Sequence, residues 1–387
     1  MMRRRRLLSI GHSYVVELNR RLVHELARLD GDRWEVAAVA PKHFRRSNDL
    51  RPLRLQTTPD EPCKVIPLDA YVTRRVHVFV YGWRLRALLA EPWDLVHFWG
   101  EPYTFAGAQT AWWKNPRTPL VFYSGQNVNK NYPPPFDSLE RYAMSRAAGW
   151  LCMGQLVADN LRKRPGYDRL PMAQIPPGTD LGRFRPDPAA RVAVRQTLGW
   201  NAEGPPVVGY LGRFVPAKGL DLMTRALDAV SSPWRALFVG AGPSEPFLRA
   251  WAARHGDRVR VCNSIVHDQV PAYLNAMDMM CAPSQTTPTW KEQFGRMLVE
   301  AFATGVPVIG SDSGEIPYVV RDSGLIVGEK DEAGWTRAIE DLLDDRNKRA
   351  DLGARGIERA RDEFAWPVVA RRYLDFFDSI ADKQVRR

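Results

Sequence analysis

A chain of 387 residues, 45% hydrophobic and 26% charged, has the composition of a soluble globular protein with room for two domains. No apolar run approaches the roughly 20 residues that span a bilayer. The arginine-rich start is interrupted by His12, Glu17 and Asn19, too early for a signal peptide, so a cytoplasmic protein is expected. The net charge of +11 is one-sided: residues 1–182 carry 27 Lys and Arg against 17 Asp and Glu, and the remainder carries 28 against 27. A basic half points to an anionic partner such as a membrane surface, with a merely solvated surface as the plain alternative. No nucleic-acid-binding motif accompanies the charge, which sets nucleic acid aside. Cys63, Cys152, Cys262 and Cys281 are widely spaced, so neither a zinc site nor a disulfide framework is indicated.

Along the chain, short apolar runs alternate with helical patterns. Residues 7–10 read as a strand. Residues 15–29 have helical spacing, with Leu18, Leu22, Leu26 and Leu29 on one side. Strands follow at 36–40, 95–98, 120–123 and 150–153. A turn-rich stretch, Ile175-Pro176-Pro177-Gly178-Thr179-Asp180, reads as a linker. The pattern then restarts, with strands at 207–211, 236–240, 259–261, 279–282 and 306–310, and an amphipathic helix from Trp366 to Ile380. Strands alternating with helices imply parallel sheets wrapped on both faces. The expected organisation is α/β, with two Rossmann-like domains, 1–178 and 179–365, facing a central cleft, and a terminal helical segment, 366–387.

Two stretches in the second half carry chemistry. Gly212-Arg213-Phe214-Val215-Pro216-Ala217-Lys218-Gly219 follows a strand, and Arg213 and Lys218 are placed to clamp a diphosphate. The loop lacks the Walker spacing and, alone, reads as a basic strand-to-helix turn. The stronger signal is Glu292-Gln293-Phe294-Gly295-Arg296-Met297-Leu298-Val299-Glu300. Gly295 allows close approach to a helix start whose free amides suit an anion. Glu300, about two turns in, suits a ribose diol, and Glu292 suits a sugar.

These stretches, with Pro177-Gly178-Thr179-Asp180, Val239-Gly240-Ala241-Gly242-Pro243, Ala282-Pro283-Ser284, Ser313-Gly314-Glu315-Ile316-Pro317 and Asp362-Glu363-Phe364-Ala365-Trp366, occur in the order seen in one family. The second half resembles the retaining family-4 glycosyltransferases (glycosyl transferases group 1) of the two-domain GT-B fold, and the first half resembles them more loosely. The resemblance implies a transferase that passes a sugar from a nucleotide-diphosphate sugar to a hydroxyl acceptor. Arg213 and Lys218 would hold the diphosphate, Glu300 the ribose and Glu292 the sugar. Gly212, Phe294, Gly295 and Arg296 would contact the donor, and Val266 would pack on the base. No cofactor or metal is implied. The terminal helix would cross back to the first domain.

The first half departs from the family. Ser124-Gly125-Gln126-Asn127 stands where many relatives carry a histidine, and Gly11-His12-Ser13 replaces a glycine-rich loop. Gln126 and Asn127 hydrogen-bond but are not bases, which leaves a catalytically silent sugar-nucleotide-binding subunit as the rival reading. Glu101, Trp99 and Tyr103, after a strand, suit an acceptor sugar; His12 stays open between a site and a structural role. His97 reads more readily as a structural histidine. Phe105, Trp112 and Trp113 near Lys114 and Arg117 form an aromatic-basic stretch suited to a membrane interface, with core packing as the alternative for at least two of the aromatics.

Overall fold

The computed structural model describes residues 3–45, 52–129, 132–201 and 204–385. The chain forms two compact units, one of residues 1–176 with 366–387, the other of residues 177–365.

The first unit is built on a seven-stranded parallel sheet. Its order is Met172–Gln174, Gly149–Cys152, Leu120–Ser124, Leu95–Trp99, Arg5–Ile10, Trp34–Pro41, Lys64–Leu68. The second unit has a six-stranded parallel sheet in the order Val259–Cys262, Arg235–Val239, Val207–Leu211, Met279–Ala282, Val308–Ser311, Gly324–Val327. In both, the chain runs outward from the first strand, returns, and continues on its other side. This doubly wound order places a topological switch beside the first strand, where ligands of such sheets bind at the carboxyl ends. The central strands are covered on both faces, which is why Leu120–Ser124 and Met279–Ala282 are buried throughout.

The predicted helix of residues 15–29 is shorter than its periodicity suggests. A 3-10 turn, Glu17–Arg20, precedes the α-helix Arg21–Leu29. Leu22 and Leu26 enter the core, whereas Leu18 stays exposed. The final helix, Trp366–Val385, belongs to the first unit, where Val369, Tyr373, Leu374 and Phe377 join the core formed by Leu22, Leu26 and Leu95. Asp378 receives bonds from the Trp34 indole at 3.1 Å and from the Arg5 and Arg33 guanidinium groups at 2.6 Å. The cysteines are free thiols.

Candidate functional site

In the second unit, the switch lies between Val207–Leu211 and Met279–Ala282, and the loops leaving these strands carry the chemistry-bearing residues. The first loop turns through a short 3-10 segment, Pro216–Lys218, into left-handed Gly219 and the helix Leu220–Asp228. Only glycine fits at 219: φ is 67°, and a Cβ would lie 1.9 Å from the Pro283 carbonyl oxygen. This contact seats one loop directly on the other.

Across that contact, the Lys218 ammonium is ion-paired with Glu292, and both residues are buried. Ser284 Oγ donates to the same Glu292 oxygen at 3.0 Å, and the Lys218 ammonium lies 5.0 Å from the centre of the Trp290 ring. The Glu292 backbone is pinned by Gly314. Its carbonyl accepts the Glu315 amide at 3.0 Å, and a Cβ on Gly314 (φ 60°) would stand 2.1 Å from that carbonyl oxygen. Gly314→Ala is therefore expected to destabilise the protein by about 1–3 kcal/mol and to shift Glu292 off Lys218. Denaturant unfolding and donor-binding titration check this; a variant as stable as wild type would show that the contact does not fix Glu292.

Gly295, at φ 82°, precedes the helix Arg296–Ala303, whose second turn carries Glu300. Glu300 is buried, and its nearest cation is Arg296 Nη2 at 3.9 Å. Burial pushes the Glu300 carboxyl up to about 7, with Arg296 and Arg183 pulling it back only in part. Arg183 is a site neighbour that no local pattern marks. It donates to the His267 carbonyl at 3.0 Å and pairs with Asp268 at 3.2 Å, beside the exposed Val266. Arg213 is exposed, and its carbonyl accepts the Tyr210 hydroxyl at 2.9 Å. Gly212 lies against Gly240, whose added Cβ would meet the Gly212 carbonyl oxygen at 1.8 Å. Phe294 is turned inward, edge-on to Phe364 at 5.8 Å, so its side chain is core and only its backbone is available to a ligand.

In the first unit, Glu101, Tyr103 and Gln126 converge. The Glu101 carboxylate accepts the Ser124 hydroxyl at 2.5 Å and the Gly125 amide at 2.8 Å. Burial outweighs both bonds and lifts this carboxyl to about 7. The Gln126 amide donates to the Tyr103 hydroxyl at 3.2 Å, and the Gln126 carbonyl accepts Asn160 at 2.8 Å. The Tyr103 ring stacks on Tyr132 at 4.3 Å. Asn127 is half-buried beside this group in sequence. Trp99 sits differently from a sugar-stacking residue: its face is covered by Tyr123, parallel at 4.1 Å. His12 is wedged between Phe44 and Phe79 at 5.1 and 5.5 Å. His97 is fully buried, hydrogen-bonded through Nδ1 to Ser9 at 2.9 Å, and burial lowers it to about 3. It is a neutral core residue.

Two family models match the chain: Glycosyltransferase Family 4 over residues 18–183 and Glycosyl transferases group 1 over residues 196–359. The chain belongs to glycosyltransferase family 4. Among curated relatives of this family-4 chain, a Mycobacterium tuberculosis GDP-mannose-dependent alpha-(1-6)-phosphatidylinositol monomannoside mannosyltransferase is 34% identical over 211 residues, 52% of this chain and 54% of the relative. A Nocardia farcinica D-inositol 3-phosphate glycosyltransferase is 34% identical over 230 residues, 55% of this chain and 49% of the relative. The chain thus spans about half the length of the curated relatives it matches. A sucrose-phosphate synthase from Thermosynechococcus elongatus superposes with a TM-score of 0.71 at 21% identity, covering 98% of this chain and all of the other. Anabaena Alr3699/HepE, solved with UDP and glucose, gives 0.70 at 17% identity over 97% of this chain and 100% of that one. These likenesses establish the GT-B fold, with two Rossmann-like parallel-sheet domains.

Proposed function

We propose that this family-4 chain transfers a sugar from a nucleotide-diphosphate sugar to a hydroxyl acceptor with retention of anomeric configuration. The observation that carries the reading is the buried Lys218–Glu292 pair, set where the two switch-point loops of the second unit meet. The bond from the sugar carbon to the diphosphate oxygen breaks, and the acceptor oxygen bonds to the same face. The departing phosphate oxygen takes the acceptor proton, so no separate base is required. Charge accumulates on the diphosphate in the transition state. Arg213, Lys218 and the amides from Gly295 onward would stabilise it, a role that does not call for a metal. Glu292 would orient Lys218 and take the sugar hydroxyls, Glu300 the ribose diol, and Val266 the base. On the other unit, Glu101, Tyr103 and Gln126 form the group best suited to an acceptor.

The excess positive charge of residues 1–182 supports an acceptor presented at an anionic surface. Among the described residues no helix is long and apolar enough to cross a membrane, so the proposed contact is peripheral.

Thermal unfolding with UDP, GDP, ADP and their sugar conjugates, each run with magnesium and again with EDTA, tests the donor half of the proposal. One nucleotide family should raise the melting temperature, by about 2.7 kcal/mol of stabilisation at a hundredfold excess over Kd. No shift with any of them would overturn the donor site, and a shift that EDTA abolishes would overturn metal independence.

A further inference from the structure

The first unit carries a groove of about 540 Å³ that the transfer chemistry leaves unused. The helices Phe105–Trp113 and Phe136–Ser145 form its sides, and the short strand Val80–Tyr81 forms one end. Its wall is Val80, Phe105, Ala108, Trp112, Trp113 and Leu139, completed by Pro135, Gln109 and Tyr142. The only amide side chain in this wall is already spent: Gln109 accepts the Tyr81 amide at 2.9 Å and donates to the Tyr81 carbonyl at 2.8 Å. The groove therefore offers hydrocarbon and aromatic edges and almost nothing polar.

Such a surface is costly to leave in water. Trp112 is 72% exposed and Trp83 is 67% exposed, although tryptophan is among the residues most worth burying. Trp83 packs edge-on to Trp113 at 5.3 Å, and the Arg86 guanidinium lies over its ring at 4.9 Å. Arg86 is exposed beside this rim, and it is not paired with a carboxylate among the described residues. Apolar depth beside this arginine fits a molecule that has both a hydrocarbon chain and an anionic head; an apolar protein segment would leave the arginine without a counter-charge.

Side-chain packing links the groove wall to the group proposed for the acceptor. Phe136 lies 5.9 Å from Phe105 of the wall and 6.5 Å from Tyr103, whose hydroxyl is bonded by Gln126. We infer that the groove holds the acyl chain of an anionic lipid, with its phosphate on Arg86. Placing this lipid at the acceptor side rests on the transfer reading above. Occupancy of the groove does not.

The test uses the full chain without donor. Wild type is sedimented with phosphatidylcholine vesicles and with vesicles containing phosphatidylglycerol, and its tryptophan fluorescence is read against brominated acyl chains. The same fluorescence is read with monomeric lysophosphatidylglycerol carrying a brominated chain, below its micelle concentration. Capture by the anionic vesicles should exceed that of Trp112→Asp at least tenfold, and brominated chains should quench wild type. Trp112→Phe should keep the capture and lose part of the quenching. Tyr318→Asp, the same kind of substitution at an exposed aromatic of the other unit, should behave as wild type. Equal capture of wild type and Trp112→Asp would overturn the inference. So would equal capture by both vesicle types, quenching by bilayers but never by monomeric lysolipid, or a Trp112-dependent dimer in place of lipid capture. Loss of glycosyl transfer with capture intact would sink the transfer reading and leave the groove standing.

Discussion

Lys218→Met should lower glycosyl transfer by roughly 10²–10³-fold, the size expected when one preorganised donor to a developing oxyanion is removed. It should also destabilise the second unit. The Lys218 ammonium and the Glu292 carboxylate are both buried, so deleting the cation removes the opposing charge from a buried carboxylate that Ser284 also bonds. Breaking one side of such a pair costs about 3–5 kcal/mol, whereas replacing both sides with neutral groups is often close to neutral. The double variant Lys218→Met with Glu292→Gln should therefore regain most of the stability and none of the turnover. Denaturant midpoints and initial rates on the three proteins separate the two effects. If the double variant is as unstable as the single one, the loss is a packing defect and not an unpaired charge. If Lys218→Met transfers sugar at the wild-type rate, the ammonium does not face the leaving diphosphate.

Glu300 should show the second large effect, and its sign depends on pH. Its carboxyl is raised to about 7 in the folded protein from an ordinary 4.5. Between those values the folded protein keeps a proton that the unfolded chain releases, so stability falls as pH rises through this window. Above pH 7 the full penalty, about 3 kcal/mol, is present, and below pH 4.5 it is absent. Glu300→Gln should thus raise stability by about 2–3 kcal/mol at pH 8 and leave it unchanged at pH 4. The same substitution should weaken nucleotide binding by roughly 1.5–3 kcal/mol, because hydroxyls bond more strongly to a carboxylate than to an amide. In wild type, nucleotide affinity should rise with pH up to about 7 and then level off; Glu300→Gln should abolish that slope. Melting curves and nucleotide titrations at several pH values check both halves. A variant that gains no stability at alkaline pH would show that burial does not hold the carboxyl protonated. Stability yielded at a carboxylate in this way is a familiar property of functional sites.

Much of the architecture is written in the strands. Val207–Leu211 and Met279–Ala282 lie in the middle of a sheet covered on both faces, so their sequences are apolar runs with turn residues at each end, and their limits are read correctly to the residue. Lys64–Leu68, Met172–Gln174 and Gly324–Val327 escaped notice. Each is at a sheet edge and partly exposed, with one neighbour, so its sequence need not be uniformly apolar. Leu18 misled the helix assignment because periodicity counts a leucine as inward wherever it falls; here the chain is still in a 3-10 turn at that point.

The residues proposed for the donor divide in the same way. Glu292 and Glu300 are near in sequence and share a loop and helix, so spacing alone reveals them. Their setting was not legible. Arg183 reaches the neighbourhood of Glu300 from the linker, and Trp290 lies beside Lys218 through a turn of the intervening loop. Trp99 reads as a sugar platform only while Tyr123 is ignored, and the register that places one beside the other is a property of the sheet. Phe294 likewise reads as a ligand contact until Phe364 supplies it with a core partner.

The first unit's core is closed by Val369, Tyr373, Leu374 and Phe377, side chains that the ribosome makes only after the whole second unit. The second unit, by contrast, is sequence-continuous, and its two ends meet: the Thr179 amide donates to the Phe364 carbonyl at 2.7 Å, and Thr179 bridges Ala365. During synthesis, the part made second is therefore the part able to finish first, while the earlier-made sheet waits with Leu22, Leu26 and Leu95 uncovered. A nascent chain stalled before Trp366 should present a protease-resistant second unit attached to a chaperone-dependent first one, and release of the last helix should be the step that ends that dependence.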